Sequence, residues 1–405
     1  MKKVLFIDQS SGLGGAELCL LDIVQDYGTT SAVGLFAQGD FCNALQQLGI
    51  PHHLLTDRPL NIRKNSAWWE SLTSSLEIVK LVSNIVRLSR DYDLVYANTQ
   101  KAFVISAIAA AISRRPLVFH LHDILSTQHF SKTNLKVVIT LANLCSSLVI
   151  ANSDATKKAF IEAGGQADLV QVVYNGFHAD RYSEQSDIRT HLREELKIND
   201  RCVVGCFSRL SPWKGQHILI ESLAQLPENV TVLLVGEALY GEDDYVQQLH
   251  HQIAVSGLGD RVKFLGFRSD VPALMQACDV IAHTSTSAEP FGRVIVEAML
   301  SRRPVIATAA GGAVELIHDR QTGWLVEPGN VNALTTAISE IQQLEATSDL
   351  SSIVQTAYEE AIDRFSISKT NHEIINLLTC HETSHSNAVE KGKEEILLKW
   401  YKRSP

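Results

Sequence analysis

Arg209 and Lys214 stand five positions apart in Arg209-Leu210-Ser211-Pro212-Trp213-Lys214-Gly215, and Glu289 and Glu297 stand eight apart in Glu289-Pro290-Phe291-Gly292-Arg293-Val294-Ile295-Val296-Glu297. Two cations around a proline turn, just before a helical pattern from Gln216, can aim both side chains and a helix N-terminus at one diphosphate. A helix begun at or near Pro290 would hold Glu289 at its mouth and Glu297 about two turns inside, on the face of Arg293. Two such carboxylates can accept hydrogen bonds from neighbouring hydroxyls, as a sugar and a ribose would offer. The free N–H groups at Gly292, Arg293 and Val294 would face whatever fills the mouth. Gly12-Leu13-Gly14-Gly15-Ala16-Glu17 adds a turn whose backbone can approach an anion closely. It is not a dinucleotide fingerprint, because the third glycine comes early and Glu17 takes the last motif position. Taken singly, each motif also reads as a solvated turn or an ordinary amphipathic helix.

The elements that must position these residues follow from the hydrophobic pattern. Short apolar runs at 4–7, 32–37, 94–96, 117–119, 148–150 and 170–174 are mostly separated by helical patterns. A polar stretch, 183–200, interrupts the rhythm, which restarts at 202–207, 230–235, 262–265, 279–282 and 304–307. Short apolar strands alternating with helices imply parallel sheets covered on both faces, with ligands beyond the carboxyl ends of the strands. A chain of 405 residues is also too long for one comfortable core. The expected plan is α/β: a Rossmann-like domain over 1–185, a second over 195–364, a helix over 365–380 and a tail over 381–405.

Composition narrows the function classes. The formal net charge of -9 argues against general affinity for nucleic acid. The seven scattered cysteines read as reduced thiols, and no run approaches the roughly 20 apolar residues of a membrane span, so the expected setting is cytoplasmic. Trp68-Trp69 beside Arg63 and Lys64 could touch the inner face of a membrane, although Trp69, Leu72, Leu76 and Val79 are spaced as one helical face and so read as core. Asp91-Tyr92-Asp93 resembles a metal-binding Asp-x-Asp but precedes its strand, the wrong end for a ligand. His52-His53, His250-His251 and His283 lack partners at metal-ligand spacing, and no metal site is expected.

Glu289-x7-Glu297, with Pro-Phe-Gly after the first glutamate, resembles the donor-site signature of glycosyltransferase family 4, in the GT-B fold. Gly12-x-Gly-Gly-x-Glu17, His122-Asp123, Asn175-Gly176, Arg209-x4-Lys214-Gly215, Leu265-Gly266, Gly311-Gly312, Glu315 and Gly323-Trp324-Leu325-Val326 match in order. The match runs from about residue 3 to about residue 380. This resemblance implies two Rossmann-like domains whose parallel sheets face across a cleft, acceptor side first and donor side second, with the 365–380 helix crossing back to the N-terminal domain.

It also implies roles. Arg209 and Lys214 match the pair that holds the donor diphosphate and neutralises the leaving group, and Glu297 matches the ribose-binding carboxylate. Glu289, with backbone groups near Phe291, Gly292 and Val294, matches the contacts to the transferred sugar. Gly14 and Gly15 match a loop that closes on the diphosphate or the acceptor. His122 matches a histidine near the reaction centre, although His120, two positions back and on the same side of the strand, remains an alternative. Gly266, Phe267 and Arg268 lie where such enzymes read the base.

The implied activity is retaining hexosyl transfer from a nucleotide-diphosphate sugar, UDP-sugar favoured, to a hydroxyl acceptor. That acceptor would be a sugar, a lipid-linked species or a small molecule, as in glycan, glycolipid or polysaccharide synthesis, with no cofactor required. The expected catalytic set is His122, Arg209, Lys214 and Glu289. Two rivals share the plan: a GT-B-like sugar-nucleotide epimerase, and an inactive sugar-nucleotide-binding module. The first would need an added acid–base cluster, which is not found; the second would lack a phosphate cation or a donor glutamate, and all four are present.

Overall fold

A computed structural model describes residues 2–56, 75–183, 186–239, 241–345 and 347–380. The chain divides into two compact units, one drawn from Met1–Asn152, Lys157–Gly176 and Ser368–Pro405, the other from Ser153–Thr156 and Phe177–Ile367. Each is built on one sheet.

The first sheet comprises β1 Val4–Asp8, β2 Ala32–Leu35, β3 His52–Leu54, β4 Leu94–Ala97, β5 Leu117–Leu121, β6 Leu148–Ala151 and β7 Val170–Val172. They lie in the order β3-β2-β1-β4-β5-β6-β7, and every pairing is parallel. Both faces are covered, as a parallel sheet requires. Along β1, Leu5 and Ile7 enter one apolar cluster while Val4 and Phe6 enter the other, the two-residue alternation of a strand. Each such fully buried side chain contributes roughly 1.5–3 kcal/mol.

The second sheet comprises β8 Cys202–Phe207, β9 Val230–Val235, β10 Val262–Gly266, β11 Val280–His283, β12 Val305–Thr308 and β13 Trp324–Val326. Its order is β10-β9-β8-β11-β12-β13, again all parallel. In both sheets the strand order reverses beside the first strand, between β1 and β4 and between β8 and β11. The loops leaving those two strands diverge, which opens a crevice at the carboxyl edge. The apolar runs of the sequence all fall on strands. The edge strand β3, three residues long, carries no comparable run.

The polar stretch before β8 is not a linker. It holds the helix Ser186–Glu195, whose Arg189 and Arg193 reach Asp279 at 2.5 and 3.2 Å. Asp279 also accepts the Val203 N–H at 2.7 Å. These bonds tie the helix to the second sheet, and the chain leaves the first unit after Gly176 rather than near 185.

The helix Ile367–Cys380 packs Ile374 and Leu378 among Val4, Phe6 and Ile150 of the first unit. There Asn371 donates to Asp26 at 2.6 Å and Thr370 to the Tyr174 carbonyl at 3.0 Å.

In the helix Ser75–Ser89, Val79 is exposed, and the buried apolar positions are Leu81, Val82 and Ile85. The face read as core is therefore turned away from it at Val79. Trp68, Trp69, Arg63, Lys64 and Leu72 lie outside the described residues, as does the tail after Cys380. Among the described residues no helix is long and apolar enough to cross a membrane. The six cysteines with described side chains are free.

Candidate functional site

In the second unit the chain leaves β8, makes the short turn Pro212–Lys214 and enters the helix Gln216–Leu223 through Gly215 at φ 73°. A Cβ at Gly215 would lie 1.9 Å from the Thr284 carbonyl oxygen, so only glycine lets this turn meet the loop after β11. Two bonds hold the loops together: Thr284 Oγ1 to the Lys214 carbonyl at 2.9 Å, and the Thr286 N–H to the Trp213 carbonyl at 2.7 Å.

Lys214 is thereby aimed at Glu289. Its Nζ donates to both carboxylate oxygens, at 2.9 and 2.8 Å. Ser285 Oγ donates to Glu289 Oε2 at 2.9 Å, and His283 Nε2 lies 3.2 Å from the same oxygen. Burial alone would raise the Glu289 pKa. The Lys214 ammonium and then His283 outweigh it and hold the carboxyl well below the usual range. Glu289 is therefore an ionised acceptor, not a proton donor. Gly311, at φ 64°, seats its backbone against Glu289, where a Cβ would come within 2.2 Å of the Glu289 carbonyl oxygen. The Gly312 N–H donates to that oxygen at 2.7 Å.

The helix after Glu289 begins later than its proline suggests. It spans Arg293–Leu300 with Gly292 as its cap at φ 97°. Pro290 lies outside, because the left-handed glycine and not the proline turns the chain into the helix. Glu297 consequently sits about one turn in, 3.6 Å from Arg293 Nε and largely buried. The N–H groups of Arg293 and Val294 open the helix. Phe291 points the other way, into the core beside Phe177 and Phe365. Only its backbone is left for a ligand.

Arg209 is half-buried just beyond β8, and its carbonyl accepts from Gln216 Nε2 at 2.9 Å. Phe267 is 56% exposed, free to stack on a flat group. Arg268 is engaged with Asp270 at 2.7 and 2.6 Å, so its guanidinium serves its own loop. Gly266 takes φ 66°, and its carbonyl accepts the Gly236 N–H at 2.8 Å. His283 and Ser285 are site residues that sequence reasoning missed. The available signal was position, since His283 ends the strand that flanks the order reversal.

In the first unit Gly14 caps the helix Gly15–Gln25, and Glu17 reaches back to accept the Gly14 N–H at 2.9 Å. This carboxylate satisfies a donor that an anion would otherwise take. Asp8, fully buried at the end of β1, accepts from the Ser10 N–H at 2.7 Å and from Asn98 Nδ2 at 2.7 Å. Asn98 Oδ1 in turn lies 2.9 Å from His122 Nε2. His122 is half-buried, whereas His120 is 2% exposed with its Nδ1 at 2.8 Å from the Tyr96 hydroxyl. Of the two histidines, His122 is the accessible one. Asp93 accepts the Lys3 N–H at 2.7 Å, which ties the start of β4 to the start of β1 and leaves Asp91-Tyr92-Asp93 at the structural end of the sheet.

Burial, and next the neighbouring Glu17 charge, push the Asp8 carboxyl up from 3.8 to about 8. The folded protein then holds a proton that the unfolded chain releases above about pH 4. Stability from this group is complete below the unfolded value and is lost as pH rises through about 8. Asp8→Asn, neutral throughout, should flatten that decline by a few kcal/mol. Thermal melts of both proteins between about pH 5 and 8 check this; parallel pH slopes would contradict it.

Two doubly wound parallel sheets, with ligand-competent loops at the order reversal, define a protein of the GT-B class. Family models agree: residues 187–360 match "Glycosyl transferases group 1" and residues 39–181 match "Glycosyltransferase Family 4". The Anabaena protein Alr3699/HepE, crystallised with UDP-glucose, is 50% identical and superposes with a TM-score of 0.86, covering 94% of this chain and 100% of its own. Sucrose-phosphate synthase from Thermosynechococcus elongatus shares the fold at a TM-score of 0.76 with 20% identity, covering 94% of this chain and 98% of its own. A GDP-mannose-dependent alpha-(1-6)-phosphatidylinositol monomannoside mannosyltransferase of Mycolicibacterium smegmatis is 32% identical over 194 residues, 46% of this chain. The chain spans about half of that relative's length (50%). The chain belongs to glycosyltransferase family 4.

Proposed function

We propose that the protein is a retaining hexosyltransferase that takes its sugar from a UDP-sugar, UDP-glucose foremost, and gives it to a hydroxyl acceptor in glycan, glycolipid or polysaccharide synthesis. The observation that carries this reading is the Lys214–Glu289 pair, held by left-handed glycines at the order reversal of the second sheet. Its support in known proteins is the Anabaena relative, crystallised with UDP-glucose and with UDP and glucose.

As the glycosidic bond breaks, negative charge grows on the departing diphosphate. Arg209, Lys214 and the N–H groups opening the helix at Arg293 oppose it, and interactions that strengthen with that charge lower the barrier. Glu289, kept ionised, accepts from sugar hydroxyls and does not serve as an acid. Glu297 is suited to a ribose, and Phe267 to stacking on the base. Gly14, Gly15 and His122, all of the first unit, serve the acceptor side. Front-face attack, with a donor phosphate oxygen helping to take the acceptor's proton, retains the configuration. These cations supply the positive potential a divalent metal would otherwise give.

Binding is tested by thermal shift against a panel of nucleotide sugars, where a ligand at 100 times its Kd adds about 2.7 kcal/mol. UDP-glucose should give the largest shift, and a larger one with GDP-mannose would overturn the base assignment. NMR of the freshly formed linkage, with and without EDTA, should show a retained configuration at unchanged yield. An inverted linkage sinks the retaining mechanism, and activity lost in EDTA sinks the metal-free one.

A further inference from the structure

Cys19, His120 and His122 of the first unit present ligand atoms that all lie within 4.8 Å of one another. Cys19 comes from the helix Gly15–Gln25, His120 from β5, and His122 from just beyond it. The two imidazoles lie with ring centroids 3.9 Å apart. Their separation in sequence from Cys19, about a hundred residues, gave no motif to read.

The surrounding hydrogen bonds place the lone pair of His122. Asn98 donates its amide to Asp8, so its oxygen faces His122 Nε2 as an acceptor and that nitrogen carries the hydrogen. The lone pair of neutral His122 is then on Nδ1. His120 meets the Tyr96 hydroxyl through Nδ1, and its buried Nε2 has no hydrogen-bond partner among the described residues. Cys19, 1% exposed, points its thiol at Asn175 Oδ1, 3.2 Å away. A buried imidazole nitrogen left unpaired, beside a thiol and a second imidazole, is what a metal ion would satisfy.

We propose that Cys19, His120 and His122 form a binding site for a zinc-class divalent cation. One thiolate and two imidazoles suit zinc and disfavour magnesium or calcium, which need oxygen ligands. On binding, the Cys19 S–H bond gives way to a sulfur–metal bond, the proton passes to solvent, and no electron is transferred. Bond lengths of about 2.0–2.1 Å to nitrogen and 2.3 Å to sulfur place tetrahedral ligands roughly 3.3–3.6 Å apart, so the three side chains close in by about 1 Å. The outer contacts already exist: Tyr96 on His120, and Asn98 backed by Asp8 on His122, the arrangement that fixes the ring orientation of metal-bound histidines. Three protein ligands leave a fourth position for water or an anion. An ion held here occupies His122, so zinc inhibits sugar transfer. The metal site stands on the geometry of the first unit alone, and only the inhibition rests on the proposed transferase reading.

The test titrates the metal-free, full-length protein with Zn²⁺ by calorimetry and with Co²⁺ by absorption. The expected result is a single tight site with a thiolate-to-cobalt charge-transfer band. Cys19→Ser should lose that band and weaken Zn²⁺ by on the order of 100-fold, and Tyr96→Phe should weaken it about 10-fold. Cys145→Ser and Cys202→Ser should bind as the parent does. Without zinc, Cys19→Ser should transfer sugar normally; with zinc, it should resist inhibition while Cys145→Ser and Cys202→Ser do not. X-ray absorption of the parent zinc complex reads the ligands directly, one sulfur and two nitrogens, so a poorly folded Cys19→Ser does not stall the test. Undiminished zinc binding by folded Cys19→Ser, or a zinc shell without sulfur, overturns the site. Tight binding without inhibition overturns the inhibitory role of the ion.

Discussion

Lys214→Ala will lose on the order of 100-fold or more in kcat/KM, about 3 kcal/mol of transition-state stabilisation, and will also melt at a lower temperature than the parent. The second effect follows from the partner. Lys214 and Glu289 keep only 15% and 13% of their side-chain surface exposed, so removing the lysine strands a buried carboxylate. Breaking such a pair by truncating one member costs about 3–5 kcal/mol, with Ser285 and His283 keeping the loss toward the lower end.

Arg209→Ala should show the catalytic loss at similar size without the thermal one, because the Glu289 cradle survives it. The double variant Lys214→Ala/Glu289→Gln separates the two consequences: stability should recover in part, while activity stays lost. Steady-state kinetics and melts on the four proteins settle it. Near-parent turnover in both Arg209→Ala and Lys214→Ala would remove the cations from the mechanism.

Asp279→Ala will destabilise the second unit by about 3–5 kcal/mol while leaving nucleotide contacts untouched. Asp279 precedes β11, at the opposite end of that strand from His283. It accepts from Arg189, Arg193 and the Val203 N–H, and its loss leaves the Arg193 guanidinium, 11% exposed, with carbonyl partners only. The Ser186–Glu195 helix would lose its main anchor. Urea unfolding measures the loss, and a change under about 1 kcal/mol would mean that water or another group replaces the carboxylate.

The legible and illegible parts of the molecule divide along physical lines. Central strands announced themselves because burial on both faces demands an unbroken apolar run, as in Val230–Val235. The edge strand β3 passed unnoticed, since His52 and His53 sit where one side needs no cover. Lys214 and Glu289 could be suspected from the glycines and prolines around them. Their pairing could not, because 75 residues separate them and only the β8–β11 adjacency joins them. His283 was weighed only as a metal ligand; its contact with Glu289 left no signal, because Glu289 is held in place by distant Gly311. The anchoring of Ser186–Glu195 to Asp279 was not legible, because an ion pair across 86 residues leaves no local trace.

Ile374 and Leu378 fill the same cluster as Val4 and Phe6, which sets an order of events during synthesis. A ribosome making about 5–20 residues per second emits the strands of the first unit early, then takes roughly 10–40 s over Phe177–Ile367 before the helix that completes their packing emerges. Through that interval the later half of the chain can close its own core, while the earlier half waits with Phe6 and its neighbours uncovered. The newborn chain therefore carries its aggregation hazard in Val4, Phe6 and their neighbours, and a chaperone that shelters them must hold on until Ile367–Cys380 has emerged.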